Sequence, residues 1–343
     1  MVLTGAGQEV GPGCWAWMRV PGGWGKTNIG LVTGPDGAVL IDTPWDHRLC
    51  AAMLQAFAPY LADRAVSLLV NTHADGDHWW GNAVVGEAEV LASETTAAAM
   101  SEEPGPGQLL ATRRLAQTIG AVPGRAGRMG RYVSAMLAPF AFDEVTPRLP
   151  DRTFTGQRVE TVGGREVLLI DHGPAHTRSD AIVVVPDARV VFTGDLLFAQ
   201  TTPLMWQGPV AAWLTALEAI MALDADVFVP GHGPVSSRTE LRGLHDYWSW
   251  LDAAVTGHHA AGRDAGEATR RLVRSPEFAA FRAWENPERL ALNVISIDRR
   301  LRGEGPILGS PIARARAFDA IAGLAAELER EGPAVARTPS GGV

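Results

Sequence analysis

The sequence NTHADGDHWWGN, residues 71–82, offers four metal-binding side chains within six residues: His73, Asp75, Asp77 and His78. The apolar run before it, residues 65–70, predicts a buried strand, so these side chains would lie where a strand ends and a turn begins. Imidazole nitrogens together with carboxylate oxygens are suitable ligands for a divalent cation. The alternative interpretation is a capped helix start, at which the acidic residues interact with the helix dipole.

The composition is that of an ordinary soluble globular protein. The chain has 343 residues, of which 46% are hydrophobic and 20% charged, and its net charge is −8. This acidity argues against a nucleic-acid partner, which needs a basic face. No apolar run approaches the ~20 residues that span a bilayer, and the N-terminus lacks a secretory signal. We therefore expect a cytoplasmic protein without a membrane partner, in which Cys14 and Cys50 are reduced and buried.

Strand and helix patterns alternate along the first half of the chain and again after residue 152. This alternation predicts an α/β protein with helices packed on sheets. The Gly-rich residues 1–12 are expected to be frayed. Strands are predicted at 14–20, 28–33, 38–42, 65–70 and 90–92, then repeatedly from 153 to 230. Helices are predicted at 46–61, 94–100, 213–223, 240–254, 267–274, 287–301 and 311–329.

Residues 101–150 are rich in Gly and Pro, with helical patterns near 109–119 and 132–137. The segment is either a flexible surface insertion or a lid over the site. In the second interpretation, five arginines of the segment would contact an acidic or phosphorylated substrate. These are Arg113, Arg114, Arg125, Arg128 and Arg131.

Three more residues that can bind a metal each follow a predicted strand. They are His176 in GPAHT, Asp195 in FTGDLLF and His232 in VPGHGP, and nearby glycine lets the backbone pass close to a compact site. Asp42 closes an earlier strand at the same predicted edge. It would either orient a metal-bound histidine or lie in solvent.

The order of these motifs resembles the metallo-β-lactamase superfamily, from about residue 14 to residue 235. The resemblance implies a four-layer αβ/βα sandwich with a binuclear metal site at one edge of the inner sheets. It divides the chain into a sandwich domain (1–236), which contains 101–150 as a lid-like insertion, and a C-terminal helical extension (237–332). Residues 333–343 are expected to be a disordered tail.

The resemblance also implies which residues bind each metal. The first cation would be bound by His73, Asp75 and His176, and the second by Asp77, His78 and His232, with Asp195 bridging both. Asp75 departs from the family, which usually has histidine there. A carboxylate shifts preference from zinc toward Fe or Mn, or Asp75 could turn away from the site. We expect two divalent ions, with zinc favoured.

The leading functional hypothesis is hydrolysis of a small molecule. Two cations sharing a water lower its pKa from ~15.7 toward ~7, and the resulting hydroxide would attack an ester, thioester, lactone or amide carbonyl. Asp77 would act as the catalytic carboxylate that orients the nucleophile and passes a proton to the leaving group. A different possibility is a metal-free binding protein of the same fold.

Several strings, including PGGWGKTNIGLV at 21–32, are similar to actinobacterial members of the superfamily, which include cyclases of aromatic polyketides in secondary metabolism. Cyclisation of such a substrate is therefore the alternative reaction. The C-terminal helices could cover the sandwich, wall the pocket or form a homodimer face. Candidate substrate-binding residues, for which core packing is the alternative role, are Trp24, Trp79, Trp80, Met205 and Trp206.

Overall fold

A computed structural model of the protein describes residues 5–332. Its first sheet has seven strands that lie side by side in chain order. The first four strands pair antiparallel, and the last four are parallel. The strands are β1 (Ala6–Gly11), β2 (Cys14–Met18), β3 (Ile29–Thr33), β4 (Ala38–Ile41), β5 (Val66–Val70), β6 (Glu89–Ser93) and β7 (Arg152–Phe154).

The second sheet has five strands in the reverse of chain order. Its last two strands are parallel and the others antiparallel, so the carboxyl ends of the last two meet at one edge. The strands are β8 (Gln157–Val162), β9 (Arg165–Asp171), β10 (Ala181–Val185), β11 (Val190–Phe198) and β12 (Val227–His232).

Nine α-helices lie within the described residues. They are α1 (His47–Leu61), α2 (Glu94–Glu102), α3 (Pro106–Gly120), α4 (Gly124–Leu137), α5 (Val210–Ala222), α6 (Arg238–Ala260), α7 (Ala265–Leu272), α8 (Leu290–Leu301) and α9 (Pro311–Glu331). None of them is both long and apolar enough to cross a membrane.

The two sheets pack face to face, and helices cover both outer faces. In β4, Leu40 faces the layer that contains α1, whereas Val39 and Ile41 face the second sheet. Successive side chains of a strand point to opposite faces, so a strand that is apolar throughout is buried on both sides. The layers are therefore helix, sheet, sheet and helix, which confirms the predicted sandwich and its C-terminal helices.

The described residues between 101 and 150 form a helical hairpin, not an irregular loop. The helices α3 and α4 approach closely where Gly130 meets Gly120: a Cβ added at Gly130 would lie 2.6 Å from the backbone nitrogen of Gly120. The helix α4 also packs against α9. The α3–α4 hairpin is thus fixed between the sandwich and the last helix.

Several sequence expectations need correction. Residues 6–11 form β1, which pairs with β2, so this part of the N-terminus is not frayed. Asp195 does not follow its strand but lies inside β11, after a register irregularity at Gly194. Cys14 and Cys50 are buried free thiols, as expected, and burial raises the pKa of each to about 12. The tail at 333–343 lies outside the described residues.

We predict that Gly130→Ala lowers the free energy of unfolding by about 1–3 kcal/mol, because overpacking forces the two hairpin helices apart. Gly243→Ala is the control: it lies in α6 with nothing within 4 Å of an added Cβ. That change should stabilise the protein by up to about 1 kcal/mol, since Ala is the better helix former. Urea denaturation followed by circular dichroism measures both, and equal effects would contradict the prediction.

Candidate metal centre

The seven predicted ligands come together at one edge of the two sheets. His73 follows β5, and His176 lies in the loop between β9 and β10. Asp195 lies within β11, and His232 is the last residue of β12. Because the carboxyl ends of parallel strands meet at one edge of a sheet, separate parts of the chain deliver these side chains to one point. The group is completed by Asp75, Asp77 and His78.

All four imidazoles use Nδ1 for a hydrogen bond that points away from the centre. His78 Nδ1 lies 2.8 Å from Asp42 Oδ2, and His73 Nδ1 lies 2.9 Å from Thr72 Oγ1. His176 Nδ1 lies 2.6 Å from the carbonyl oxygen of Leu204. His232 Nδ1 similarly lies 3.1 Å from the carbonyl oxygen of Lys26. A proton on Nδ1 leaves Nε2 with a free lone pair that faces the centre, which is the tautomer that a metal ligand needs.

Asp195 is the hub of the centre. Its Oδ2 lies 3.3 Å from Nε2 of both His176 and His232, and its Oδ1 lies 3.3 Å from Nε2 of His78. The Nε2 atom of His73 is 3.9 Å from Oδ2. Two donors bound tetrahedrally at about 2.0–2.1 Å from one ion lie roughly 3.3 Å apart. The spacing around Asp195 therefore fits donors that share cations.

Three polar atoms at the centre lack a hydrogen-bond partner among residues 5–332. Nε2 of His73, Nε2 of His78 and Oδ1 of Asp195 are all buried without a hydrogen bond among the described residues. An unsatisfied buried polar atom costs about 1–3 kcal/mol, so three together need an explanation. Cations bound by these atoms would supply it. The residues present thus fit a metal centre.

Asp75 does not turn away. Its Oδ2 lies 3.1 Å from His176 Nε2 and accepts a 3.0 Å hydrogen bond from the indole Nε1 of Trp206. It forms a candidate ligand group with His73 and His176. Burial disfavours the charged form of His176, but the Asp75 carboxylate outweighs burial and raises the histidine pKa to about 10. The carboxylate therefore lies where the sequence predicts a ligand of the first cation, at the position that is usually histidine in the family.

The charges at the centre depend on one another. Burial disfavours the carboxylate of Asp195, but His232 and His78 outweigh it and hold the aspartate pKa well below its ordinary range. In His73, burial together with the neighbouring His78 lowers the pKa well below its ordinary value. Burial also opposes the charged form of His78, yet Asp195 raises that pKa. The hub thus carries negative charge that attracts cations.

Asp42 is buried, not exposed to solvent, and it contacts a histidine of the centre. Its Oδ1 accepts from the backbone N–H of Thr72, and its Oδ2 accepts from the Thr72 hydroxyl and from His78 Nδ1. The hydroxyl of Thr72 in turn contacts His73 Nδ1. Asp42 therefore supports two histidines at once, although its φ of 64° is unusual for a residue other than glycine.

Residues 26–28 support the other side of the centre, a role that the sequence reasoning missed. The hydroxyl of Thr27 donates to Asp77 Oδ2 at 2.8 Å. The amide Nδ2 of Asn28 donates to the carbonyl oxygens of Pro230 and Gly233, which flank His232. The polar residues 26–28 immediately before the buried strand β3 were the sequence feature that could have indicated this supporting role.

A cavity of about 180 Å³, which we call the site pocket, opens onto the centre. Three predicted substrate residues line it: Trp24, Trp80 and Trp206. The other two do not. Trp79 is 4% exposed and donates its Nε1–H to the carbonyl oxygen of Ala74, and Met205 is completely buried in the core. Both pack because their side chains point into apolar clusters beneath the loops.

None of the five candidate arginines, Arg113, Arg114, Arg125, Arg128 and Arg131, lines the site pocket. Arg113 donates to the carbonyl oxygen of Phe140, and Arg125 pairs with Asp319. Two C-terminal arginines line it instead, Arg289 and Arg314. They lie far along the chain in the predicted helical extension, where an arginine is normally solvated, so no sequence pattern indicated them.

The family match covers the same elements. Residues 22–232 match the family model of the metallo-beta-lactamase superfamily. That range includes every strand that delivers a ligand to the centre. The chain belongs to this superfamily, as the order of its motifs predicted.

Curated relatives extend the likeness into the C-terminal helices. The chain is 24% identical over 277 residues to the 2,4-dinitroanisole O-demethylase subunit alpha of Nocardioides sp., covering 77% of this chain and 71% of the relative. It is 26% identical over 272 residues to a linear primary-alkylsulfatase of Pseudomonas sp., covering 73% of this chain but only 51% of the relative. A hydroxyacylglutathione hydrolase of Brucella ovis is 40% identical over 76 residues, 22% of this chain and 29% of the relative.

Solved structures show the same fold. A stereoselective inverting sec-alkylsulfatase from Pseudomonas sp. superposes with a TM-score of 0.66 at 20% identity, covering 86% of this chain and 50% of that one. A metallo-beta-lactamase from Pontibacter korlensis gives 0.53 at 20% identity, covering 72% of this chain and 99% of that one. The sulfatase structure superposes on a larger share of this chain than the lactamase structure does, so more of this chain has a counterpart in the sulfatase fold.

We predict that Asp42→Asn weakens metal binding by 10–100-fold, because the amide loses the charge that supports His78 and Thr72. Competition with a chromogenic chelator measures the affinity. Asp36→Asn, at an exposed turn, is the control and should match the unmodified protein. An unchanged affinity in Asp42→Asn would refute the supporting role.

We predict that Asp75→His shifts metal preference toward zinc, since it replaces a hard oxygen donor with imidazole nitrogen. Protein reconstituted with equimolar zinc, manganese and iron under anaerobic conditions would be analysed by mass spectrometry for bound metal. The zinc fraction should rise in the variant. Asp75→Ala should lower the total from about two ions per chain toward one, and an unchanged total would show that Asp75 is not a ligand.

Proposed function

We propose that this protein is a metal-dependent hydrolase that cleaves an ester, thioester, lactone or amide bond in a small molecule. The observation that carries the proposal is the convergence of four Nε2 atoms and three carboxylates beside an apolar pocket. Five of these residues line the pocket: Asp75, Asp77, His176, Asp195 and His232. Buried metal-binding groups at the wall of a pocket are suited to bind cations where a substrate can reach them.

Divalent cations bound there, zinc being the favoured metal, would supply Lewis acidity and lower the pKa of a water at the site. The first would be bound by His73, Asp75 and His176. The second would be bound by Asp77, His78 and His232, with Asp195 shared. The Nδ1 hydrogen bonds hold the four rings in place before substrate arrives, so little reorganisation is needed during the reaction.

Asp77 is the proposed proton carrier. It lines the site pocket, and its Oδ2 accepts from Thr27 and lies 3.7 Å from His232 Nε2. The Thr27 hydroxyl fixes the carboxylate so that one oxygen faces the centre. In this position Asp77 would accept a proton from the attacking water and return it to the leaving group, a role worth about 10²–10⁴-fold in rate.

The pocket wall favours a substrate with an apolar body. Aromatic rings from Trp24, Trp45, Trp80, Trp206 and Phe318 line it. These rings exclude water from the reacting bond and contribute apolar contact area. The substrate would therefore be a small molecule whose scissile bond sits at the cations and whose remaining atoms contact the rings.

A buried arginine favours sulfate esters as a second candidate substrate class. Arg289 is 1% exposed, lines the site pocket and stacks on Trp24 at 4.3 Å. It donates to the carbonyl oxygen of Thr202 but has no carboxylate partner within ion-pair distance in residues 5–332. A guanidinium without a carboxylate is suited to an anionic oxygen of the substrate. The likeness to an alkylsulfatase supports the same candidate.

The other hypotheses stay predictions with less support. The aromatic wall would also suit a polyketide, but no further observation favours cyclisation over hydrolysis. A metal-free binding protein would leave the Nε2 atoms of His73 and His78 buried without partners. Homodimer formation and cytoplasmic location likewise stay predictions.

We expect metal-replete protein to hydrolyse at least one class in a panel of carboxylic esters, thioesters, lactones, amides and alkyl sulfates. Chelation should abolish the activity and added zinc should restore it. Asp77→Asn should lower kcat by about 10²–10⁴-fold, measured on samples whose metal content has been determined. Asp36→Asn serves as the control. A metal-replete protein that cleaves no member of the panel would refute the proposal.

A further inference from the structure

A second apolar cavity adjoins the site pocket. It has a volume of about 320 Å³ and lies between the α3–α4 hairpin and α9. We call it the hairpin cavity. The two spaces are neighbours that share six lining residues: Pro104, Leu109, Met136, Leu137, Arg314 and Phe318.

The walls of the hairpin cavity follow one face of each helix of the hairpin. On α3 the lining residues recur three or four positions apart, from Leu109 through Thr112 and Ala116 to Ile119. Met129 and Val133 continue the apolar wall on α4, toward the shared Met136 and Leu137. The polar residues of the lining are Gln108, Thr112 and Arg314. The cavity is thus a long space with mostly apolar walls.

The close approach of the glycines explains which way the space runs. Gly120 and Gly130 bring α3 and α4 together near the turn of the hairpin, while the opposite end carries Leu109 and Leu137 at the site pocket. The ten steps from Leu109 to Ile119 rise about 15 Å along the helix. An extended alkyl chain with C–C bonds near 1.5 Å advances about 1.25 Å per carbon, so the space matches about twelve carbons.

Packing alone does not account for such a space. Protein interiors contain few voids larger than a water molecule, and an apolar void lowers stability by the contacts it forfeits. Leu115 lines the part away from the shared residues and is 60% exposed, so that end reaches the surface. An apolar space that begins beside the site pocket and ends at the surface is suited to a long, slender ligand.

We propose that the hairpin cavity binds a straight apolar tail of the substrate, with the scissile bond at the centre and the tail between α3, α4 and α9. The substrate class is therefore an ester of a long-chain alkyl or acyl compound. This inference rests on the proposed hydrolase function for the reacting end. Tail binding itself needs no turnover and can be measured separately.

The test uses n-alkanols from n-butanol to n-dodecanol as probes, titrated calorimetrically into the full-length protein. The dissociation constant should fall about fourfold per added methylene, the value that corresponds to about 0.8 kcal/mol per buried CH₂. The decline should level off as the chain fills the space. A dissociation constant that does not depend on chain length would overturn the inference even if the protein hydrolyses short esters.

Two variants narrow the space from opposite walls: Ala116→Phe on α3 and Ala315→Trp on α9. Each should weaken n-decanol binding at least tenfold while changing n-butanol binding less than twofold. Ala315 is exposed, so its variant should fold even if the buried Ala116 variant does not. Ala111→Trp, at an exposed α3 position outside the lining, is the matched control, and equal behaviour of Ala315→Trp and Ala111→Trp would overturn the inference.

Measurements of kcat/KM against substrate chain length separate this inference from the proposed function. If the protein hydrolyses esters, kcat/KM should rise with acyl or alkyl length in the unmodified protein and in Ala111→Trp but not in Ala315→Trp. If no ester is cleaved but alkanol binding follows chain length, the tail site stands and the proposed reaction fails. If esters are cleaved but neither kcat/KM nor alkanol binding depends on chain length, the proposed reaction stands and the tail site fails.

Discussion

The structure of the site depends on how four histidine rings are oriented. Each Nδ1 is bound by an atom outside the centre, a carboxylate, a hydroxyl or a carbonyl oxygen, so that each Nε2 faces Asp195 or its neighbours. A free imidazole has two tautomers and rotates, whereas these rings have one partner on the outer side. The ligand geometry is thus set by hydrogen bonds formed in the fold itself, and a cation would bind to donors already in position.

That orientation requires close backbone approach around Asp195. A Cβ at Gly231 would lie 1.9 Å from Asp195 Oδ1, and one at Gly194 would lie 2.7 Å from the Thr72 hydroxyl. Gly194 also has a φ of +50°, which glycine adopts at little cost. The irregularity in β11 turns Asp195 toward the centre without ending the strand. The hub residue therefore sits on rigid sheet backbone, unlike the loop-borne His176.

The sequence was sufficient for the parts of the molecule that local pattern determines. Apolar runs located the strands, although Asp195 proved to lie inside β11 and not after it. The spacing of NTHADGDH located the candidate ligand cluster, including the unusual Asp75. It was not sufficient where burial depends on distant packing. Trp79 and Trp80 are adjacent, look equivalent in sequence and both pack in the same apolar cluster, yet only Trp80 lines the site pocket. Arg289 is more than two hundred residues from the motif that it joins in space.

The site and its walls come from different parts of the chain. The ligands lie within residues 73–232, on the elements that match the family model. The hairpin supplies Leu109 and Met136 to the pocket, and α9, which lies beyond the matched range, supplies Phe318. Cation chemistry needs fixed donor distances, whereas a wall needs only shape and polarity. The sheet edge therefore holds the candidate ligands in place, and these helices shape the pocket beside them.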